Sequence, residues 1–270
     1  MERIKYLDME NATLRMKLNS LEEYEKFFKE HSKDLIDLNF KRIYVKISSI
    51  DLQKFVSVFK NIELPLIIET ELLEELNFNL SEDIVVINTN PKILSDNPYV
   101  YNTQILNETT LPQIIDLIKS EKNIVIDLDI DIQNINKINN CLTDLFSEAS
   151  NKLLNICNFI VPTNLIKEHP CNCYLCNGWR CHKAISGLPK DVLLDENYNL
   201  YPHEITKQEL KIGNIKTNNI KDVLKNYTQS KEYENFMICC KQVFIRYLPN
   251  YPFQYFPVAE YIKEVANEIL

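Results

Sequence analysis

The residues best suited to chemistry in this sequence are cysteines in the middle of the chain. Cys171, Cys173, Cys176 and Cys181 lie close together, and His182 follows directly. Thiolate sulfur binds soft metals, and three or four such ligands that converge on one point form a site. Cys173 and Cys176 make the tightest chelating pair, since two intervening residues let both sulfurs reach one ion or one cluster. The run predicts a metal or iron–sulfur site.

Further metal donors follow downstream. Cys239 and Cys240 are adjacent in the sequence, and adjacent side chains point in different directions, so we expect one of the two rather than both to be a ligand. His203 and His182 are nitrogen donors that can complete the set. The spacing of these donors leaves zinc and an iron–sulfur cluster both open.

Four other cysteines and histidines are predicted to have no part in this site. Cys141 and Cys157 each stand alone in an apolar context, which is typical of buried core thiols. His31, within a predicted helix, and His169, before a proline, are expected to be solvent-exposed and to carry no special role.

Composition limits the classes of function. The 270 residues are 45% hydrophobic and 25% charged, as in an ordinary globular protein. No apolar run approaches the roughly 20 residues that span a bilayer, and no signal-peptide core is visible, so we expect a cytoplasmic protein without a membrane partner. In a reducing compartment, clustered thiols indicate metal binding or redox chemistry. The net charge of -8 argues against nucleic acid as a partner.

Short apolar segments alternate with amphipathic ones in the first part of the chain. Strands are predicted at 13–18, 42–48, 64–69, 83–88, 99–106, 123–129 and 155–161, and helices at 21–38, 52–61, 111–121 and 132–153. Such alternation indicates parallel βαβ units, either in an open sheet or in a partial barrel. We expect an α/β fold with a partial, TIM-like barrel. The three glycines all follow residue 177, which excludes a glycine-rich nucleotide-binding loop in this part.

A boundary is predicted near residue 165, where the alternation stops. Residues 1–165 would then form the barrel, and residues 166–270 a small cysteine-rich domain. In the second part we predict a hairpin at 191–203 that turns at Asp195-Glu196-Asn197, and helices at 220–226, 231–236 and 258–270.

The segment from Cys171 to Cys240 resembles a degenerate SPASM or twitch extension of the radical SAM enzymes. Its hairpin reads Asn197-Tyr-Asn-Leu-Tyr-Pro-His203, where the family has Asp-Gly-x-Val-x-Pro-Cys. Gly213-Asn214-Ile215 then matches the family's Gly-Asn-Ile motif, and the late cysteine group follows Phe236. The resemblance covers about 70 residues and implies an auxiliary iron–sulfur cluster, with [4Fe–4S] favoured over zinc.

The departures from the family are equally informative. The Cys-x3-Cys-x2-Cys motif that holds the catalytic cluster of radical SAM enzymes is missing, and no cysteine precedes Cys141. Cleavage of S-adenosylmethionine is therefore not expected. The glycine of the hairpin is replaced by Tyr198, the cysteine by His203, and the late Cys-x2-Cys is contracted to two adjacent residues. His203 is either a substituted ligand or a lost one.

Three functions remain open. The resemblance implies an accessory iron–sulfur protein in the maturation of a ribosomally synthesised peptide, with a precursor peptide or a peptide-modifying enzyme as partner. The aromatic stretch 247–256 could dock such a peptide, although packing against the barrel is the simpler interpretation. A zinc-stabilised structural or interaction protein is the second possibility. The third is a TIM-barrel-like enzyme beside the metal, with Glu69 and Asp127 or Asp129 as acid–base candidates.

Overall fold

The structure is a computed structural model that describes residues 12–247 and 258–270, apart from gaps at 41, 49, 60–61, 73–79, 81–82, 91, 94, 96, 121, 128–133, 150–152, 157–158, 163–190 and 203–204. The predicted α/β class is confirmed, because most of the strands form a parallel sheet with helices between them.

One sheet contains all eleven strands of the described residues, in the spatial order β11-β10-β9-β1-β2-β3-β4-β5-β6-β8-β7. In chain order the strands are β1 Thr13–Met16, β2 Arg42–Ile47, β3 Leu66–Thr70, β4 Ile84–Asn88, β5 Val100–Ile105, β6 Ile124–Asp127, β7 Leu153–Ile156, β8 Phe159–Pro162, β9 Asp191–Leu194, β10 Asn199–Pro202 and β11 Gly213–Asn214. The first six are parallel, and each pairs with the next along the chain.

Seven α-helices accompany the sheet in the described part of the chain: α1 Leu21–Asp37, α2 Leu52–Phe59, α3 Leu111–Lys119, α4 Ile135–Ala149, α5 Ile220–Tyr227, α6 Lys231–Arg246 and α7 Val258–Ile269. The first four follow β1, β2, β5 and β6, as parallel neighbours require. None of the helices in the described residues is both long and apolar enough to cross a membrane.

The main core lies between the first strands and helices α1 and α2. Alternate strand residues point to this side, and Tyr24, Phe27 and Phe55 fill it. Helix α1 begins as its sequence predicts, because Ser20 Oγ accepts a hydrogen bond from Glu23 N at 3.2 Å and caps the first turn. The rings of Tyr24 and Phe55 meet edge to face, with centroids 5.1 Å apart.

An asparagine network replaces a helix between β4 and β5. Asn88 Nδ2 donates to Asn102 Oδ1 at 3.0 Å and to the Ile93 carbonyl at 2.5 Å. Asn102 Oδ1 also accepts from Ser95 N at 3.2 Å. An amide side chain can accept from a backbone N–H and donate to a backbone carbonyl at the same time. These asparagines therefore satisfy backbone groups of the connection, which in a helix would bond to each other.

The predicted strand at 155–161 is wrong. Two strands, β7 and β8, occupy this region and run antiparallel, with Ile156 opposite Phe159. Strand β8 then pairs antiparallel with β6, so the parallel order ends there. Residues 157–158, between the two strands, lie outside the described residues. Neither glycine nor proline separates the apolar residues of the two strands, so the sequence pattern predicts one strand.

Helix lengths also depart from the predictions. The predicted helix 132–153 begins at Ile135 and ends at Ala149, whereas the one predicted at 231–236 continues to Arg246. Helix α6 is apolar on more than one side, since Ile238 and Ile245 are exposed while Phe236 and Val243 are buried. The single apolar stripe that marks a surface helix is therefore obscured in its second half.

The predicted hairpin at 191–203 is confirmed by the antiparallel pairing of β9 with β10. Strand β9 also pairs in parallel with β1, so the hairpin extends the main sheet rather than standing apart from it. Val192, Leu194 and Leu200 join the main core. Residues on both sides of the predicted boundary near 165 thus share one sheet, and the boundary itself stays a prediction.

Helices α6 and α7 pack on each other over a separate apolar cluster. A short 3₁₀ turn at Gln208–Leu210 contributes to the same cluster. Tyr247 stacks on Tyr261 of α7, with ring centroids 4.5 Å apart. This contact is made with α7 rather than with the parallel strands, so packing of the aromatic stretch against the barrel stays a prediction; residues 248–256 lie outside the described part.

Candidate functional site

Most of the predicted metal ligands fall outside the described residues. These are Cys171, Cys173, Cys176, Cys181, His182 and His203. The structure describes the other two, Cys239 and Cys240, both on helix α6. No three His, Cys, Asp or Glu side chains come together as a metal site within the described ranges. Of the predicted ligand set, the structure therefore describes the two cysteines of α6 and the residues around them.

Helix α6 carries both cysteines into the interior. Ser230 Oγ accepts from Tyr233 N at 3.1 Å and caps the start of the helix. Nine and ten residues after this cap, Cys239 is fully buried and Cys240 is 9% exposed. Consecutive helical residues are rotated by about 100°, so the two thiols lie on neighbouring faces of the helix, as expected for adjacent side chains.

The face of α6 that bears Cys239 is turned toward the chain that leaves the hairpin. Asn235, one helical turn before Cys239, donates from Nδ2 to the Glu209 carbonyl of the 3₁₀ turn at 3.0 Å. Ile205, two residues after His203, lies in the same buried cluster as both cysteines. The segment that follows one predicted ligand is thus brought against the helix that carries two others.

The first turn of α6 meets helix α5, whereas Cys240 itself lies in the apolar cluster shared with α7. Tyr233 lies two turns before Cys240, and its ring meets Tyr227 of α5 edge to face, with centroids 5.2 Å apart. Tyr227 is 1% exposed, and its hydroxyl has no hydrogen-bond partner among the described residues. A buried hydroxyl left in this state costs free energy, and such groups are rare in native structures.

Burial governs the protonation of this region. It raises the pKa of the Cys240 thiol well above its usual range, with the neighbouring Cys239 adding to the effect. The pKa of Cys239 is also raised by burial, and the Lys207 ammonium partly opposes that rise. Burial and the nearby Cys240 raise the pKa of Tyr227. All three groups are therefore neutral unless a cation compensates a thiolate.

A thiolate-bound metal or cluster would change this balance. Metal binding requires deprotonated sulfur, and a metal would supply the positive charge that the apolar surroundings lack. The burial of Cys239 and Cys240 is also that of ordinary core thiols. Either cysteine could serve as a ligand together with donors from the cysteine run, since the described residues contain no complete group of metal donors.

The hairpin explains two of the sequence motifs. Tyr198, at the position of the family's glycine, has a φ of +62°, in the left-handed region that glycine adopts most readily. Asn214 of the Gly-Asn-Ile motif donates from Nδ2 to the Asn197 carbonyl at 2.9 Å. A Cβ on Gly213 would lie 2.5 Å from Val223 Cγ1 of α5. These residues hold the hairpin turn and α5 together.

A second group of polar side chains lies on the face of the sheet turned away from α1 and α2. Glu69 is 8% exposed and receives a hydrogen bond from the Tyr44 hydroxyl. Lys46 Nζ lies 2.6 Å from Glu69 Oε1, and the Arg15 guanidinium stands 4.8 Å from the centre of the Tyr44 ring. Of the acid–base candidates, Glu69 is thus paired and buried. Asp127 ends β6, with its side chain not described, and Asp129 lies outside the described residues.

Sequence reasoning missed Tyr44, Lys46 and Tyr227. In β2, Arg42-Ile-Tyr-Val-Lys-Ile47 alternates polar and apolar residues, and this pattern could have indicated a strand with one polar face. Tyr227 carries no comparable signal, because an aromatic residue at the end of a helix is most often ordinary core.

The predictions for the remaining cysteines and histidines have mixed outcomes. Cys141 is buried in a small apolar cluster, as predicted; Cys157 and His169 lie outside the described residues. His31 was expected to be exposed, and this is wrong, since it is 7% exposed and its ring lies 5.0 Å from that of Phe27. Its position on the buried face of α1, one turn after Phe27, outweighs its polarity, and burial lowers its pKa.

The chain has no match among protein-family models, curated proteins or solved structures. The resemblance to the SPASM and twitch extensions therefore rests on the hairpin, the Gly-Asn-Ile motif and the cysteine pattern alone.

Proposed function

We propose that this protein binds an iron–sulfur cluster through its cysteine-rich segment and serves as a radical SAM-like accessory protein in the maturation of a ribosomally synthesised peptide. It would act in the cytoplasm without cleaving S-adenosylmethionine itself, and its partner would be a precursor peptide or a peptide-modifying enzyme. The cluster would be held by thiolates from Cys171, Cys173, Cys176 and Cys181 together with a donor from α6, with His203 as a further candidate. Such a cluster supplies electron transfer.

The observation that carries this proposal is the packing of the hairpin exit against α6. Ile205 shares a buried cluster with Cys239 and Cys240, although more than thirty residues separate them in the chain. His203 precedes Ile205 by two residues in the sequence. A metal site needs ligands from separate segments of the chain, and the packing of Ile205 against α6 supports the proposal that His203 and an α6 cysteine belong to one site.

The remainder of the fold agrees with a relative of that superfamily. Six parallel strands follow one another in chain order, which is the strand order that a partial TIM-like barrel requires. The left-handed backbone of Tyr198 stands where the family has glycine.

The loop after the first parallel strand favours loss of the catalytic cluster. Only Lys17 to Ser20 connect β1 to α1, which is too short for the Cys-x3-Cys-x2-Cys motif. None of these residues is a cysteine, so this loop offers no thiolate for a cluster that binds S-adenosylmethionine.

A double variant tests the ligand assignment. Replacing Cys173 and Cys176 with serine removes the tightest chelating pair, so we expect loss of bound metal and a lower melting temperature of the purified protein. Cys141→Ala is the matched control, because it removes a buried thiol distant in sequence from the cysteine run and should leave metal content unchanged. Full metal content in the double variant would overturn the assignment.

A second candidate function is supported by the pairing of Glu69. A carboxylate bound by a tyrosine and a lysine near the carboxyl end of parallel strands occupies the place where α/β enzymes carry their sites. The function would be acid–base catalysis on the face of the sheet opposite α1. Because the substrate is unknown, its test is a screen for turnover of peptide and small-molecule libraries with Glu69→Gln as the control. Activity retained in Glu69→Gln would exclude this site.

A further inference from the structure

We propose that the solvent-facing side of helix α6 is a self-association surface, at which two copies of this chain pack antiparallel about a twofold axis that passes beside Met237 and Ile238. The partner is thus a second copy of the protein. This inference is independent of the proposed metal-binding function, because the residues that carry it lie on the side of α6 turned away from the buried cysteines.

Exposed apolar side chains gather on this one side of α6. Ile238 and Phe244 are each 44% exposed and Ile245 is 54% exposed, and Met237 is half-buried beside them. At about 100° per residue, these four positions fall within one sector of the helix, on the side away from the buried Phe236. Single exposed apolar residues are ordinary, whereas a contiguous group indicates a contact surface.

Two charges of opposite sign lie within the same apolar surface. Glu234 and Lys241 are both exposed, and they alternate along α6 with Ile238 and Ile245. The four residues follow one another at intervals of four, three and four, which is the spacing of a helix that packs along a second helix. Glu234 Oε2 lies 3.0 Å from Lys231 Nζ in an exposed pair, and such pairs are weak enough to exchange partners.

The order of these residues makes the surface complementary to itself in the antiparallel sense. Lys241 and Glu234 lie at equal distances on either side of the proposed axis, so Lys241 of each copy meets Glu234 of the other. Ile238 meets Met237 of the second copy at the centre. A parallel pairing in register would instead oppose Lys241 to Lys241 and Glu234 to Glu234, and like charges directly opposed are unfavourable. A twofold dimer uses one such self-complementary surface on both copies.

The size of the contact predicts a weak dimer. Helix α6 has 16 residues, and stable specific interfaces bury about 1,200–2,000 Å² in total. A contact made by one such helix from each copy lies at the lower end of that range, so we expect reversible association. The two ion pairs across the axis set the orientation of the copies more than the affinity.

Sedimentation of the full chain over a range of concentrations, under reducing conditions, tests the proposal. We expect the average mass to rise from that of one chain toward that of two as concentration increases. Ile238→Ser removes an apolar side chain from the centre of the contact, and dimerisation should weaken roughly ten-fold. Ile36→Ser is the matched control, because Ile36 is also exposed on a helix, at 37%, but lies on α1. It should leave the dimer unchanged.

Charge reversals test the antiparallel pairing itself. Glu234→Lys and Lys241→Glu should each dimerise more weakly than the wild type, because like charges then meet across the axis. An equal mixture of the two variants should dimerise as tightly as the wild type, since each copy then meets the opposite charge at both positions. Both residues are exposed, so circular dichroism should show wild-type folding for each variant.

A wild-type protein that sediments as one chain at every concentration overturns the inference, and the α6 surface would then be covered by another segment of this chain or by a different partner. A dimer that survives Ile238→Ser, or single charge reversals that dimerise as tightly as the wild type, overturns it as well. None of these outcomes depends on bound metal, so the proposed function stands or fails separately, on metal content.

Discussion

Two buried tyrosines of the main apolar cluster differ in how their hydroxyls are paired: one lies between the first helices and the other where α5 meets the cysteine-bearing helix α6. Tyr24, in the main core, has its hydroxyl paired: it accepts from Leu18 N at 3.1 Å and donates to the Met16 carbonyl at 3.4 Å. Tyr227, at the junction of α5 and α6, is equally buried, but its hydroxyl has no partner among the described residues. Burial raises the pKa of both hydroxyls, that of Tyr24 to about 12.

The contrast concerns the tyrosine hydroxyls. The core around Tyr24 pairs that hydroxyl with its own backbone and fills its volume with aromatic rings, although Nδ1 of the buried His31, beside Phe27, has no hydrogen-bond partner among the described residues. The junction around Tyr227 combines two buried thiols with an unsatisfied donor. Proteins keep unsatisfied buried polar groups mainly where a function requires them. We therefore expect substitutions near Tyr24 to change mainly stability, and substitutions near Tyr227 to change mainly function.

Truncation of the main core should have the largest effect on stability. Phe55 is fully buried, packs edge to face on Tyr24 and stacks on Phe59 with ring centroids 4.1 Å apart. We expect Phe55→Ala to lower the free energy of unfolding by about 3–5 kcal/mol through lost contacts and a cavity. Denaturant unfolding of metal-loaded and metal-free protein measures this. If the loss in the free energy of unfolding differed between metal-loaded and metal-free protein, stability and function would not be separated between the two regions.

Removal of the Tyr24 hydroxyl should have an intermediate effect. Tyr24→Phe leaves Leu18 N buried without its acceptor, so we expect a loss of about 1–3 kcal/mol in the free energy of unfolding. The matched change is Tyr227→Phe, which should cost the metal-free protein nothing. Equal losses in the two variants, measured by denaturant unfolding, would show that the Tyr227 hydroxyl has a structural partner after all.

The smallest effect is expected at the hairpin turn. Tyr198→Gly and Tyr198→Ala both remove the ring, but only glycine adopts a φ of +62° without steric cost. The glycine variant should therefore be more stable than the alanine variant by about 1 kcal/mol. Thermal unfolding of the two variants gives the difference directly, and an alanine variant of equal stability would show that the turn carries no strain.

Local sequence patterns predicted most of the fold. The strands of the parallel sheet were recognisable because short apolar runs such as Ile84-Val-Val-Ile87 are bounded by polar residues. The start of α1 was predictable from Ser20 and Glu23, and the hairpin turn from Asp195, whose Oδ1 accepts from Asn197 N at 2.9 Å. In each case the signal lies within a few residues of the feature.

The errors concern features that depend on tertiary contacts. Strands β7 and β8 were predicted as one because neither glycine nor proline separates their apolar residues. Helix α6 was predicted too short because its second half is apolar on both the buried and the exposed side. The contact of Tyr227 with α6 could not be predicted, since it depends on how two helices pack. The sequence predicts the chemical groups of a candidate site but not the neighbours that surround Cys239 and Cys240.

The most direct test of the central claim is elemental and acid-labile sulfide analysis of the full chain purified without oxygen. We predict iron and sulfide at about four each per chain, as one [4Fe–4S] cluster requires, with a broad visible absorption. Zinc at about one per chain with no colour would contradict the redox function and make the site structural. The absence of both metals from freshly purified, folded protein would contradict the metal site altogether.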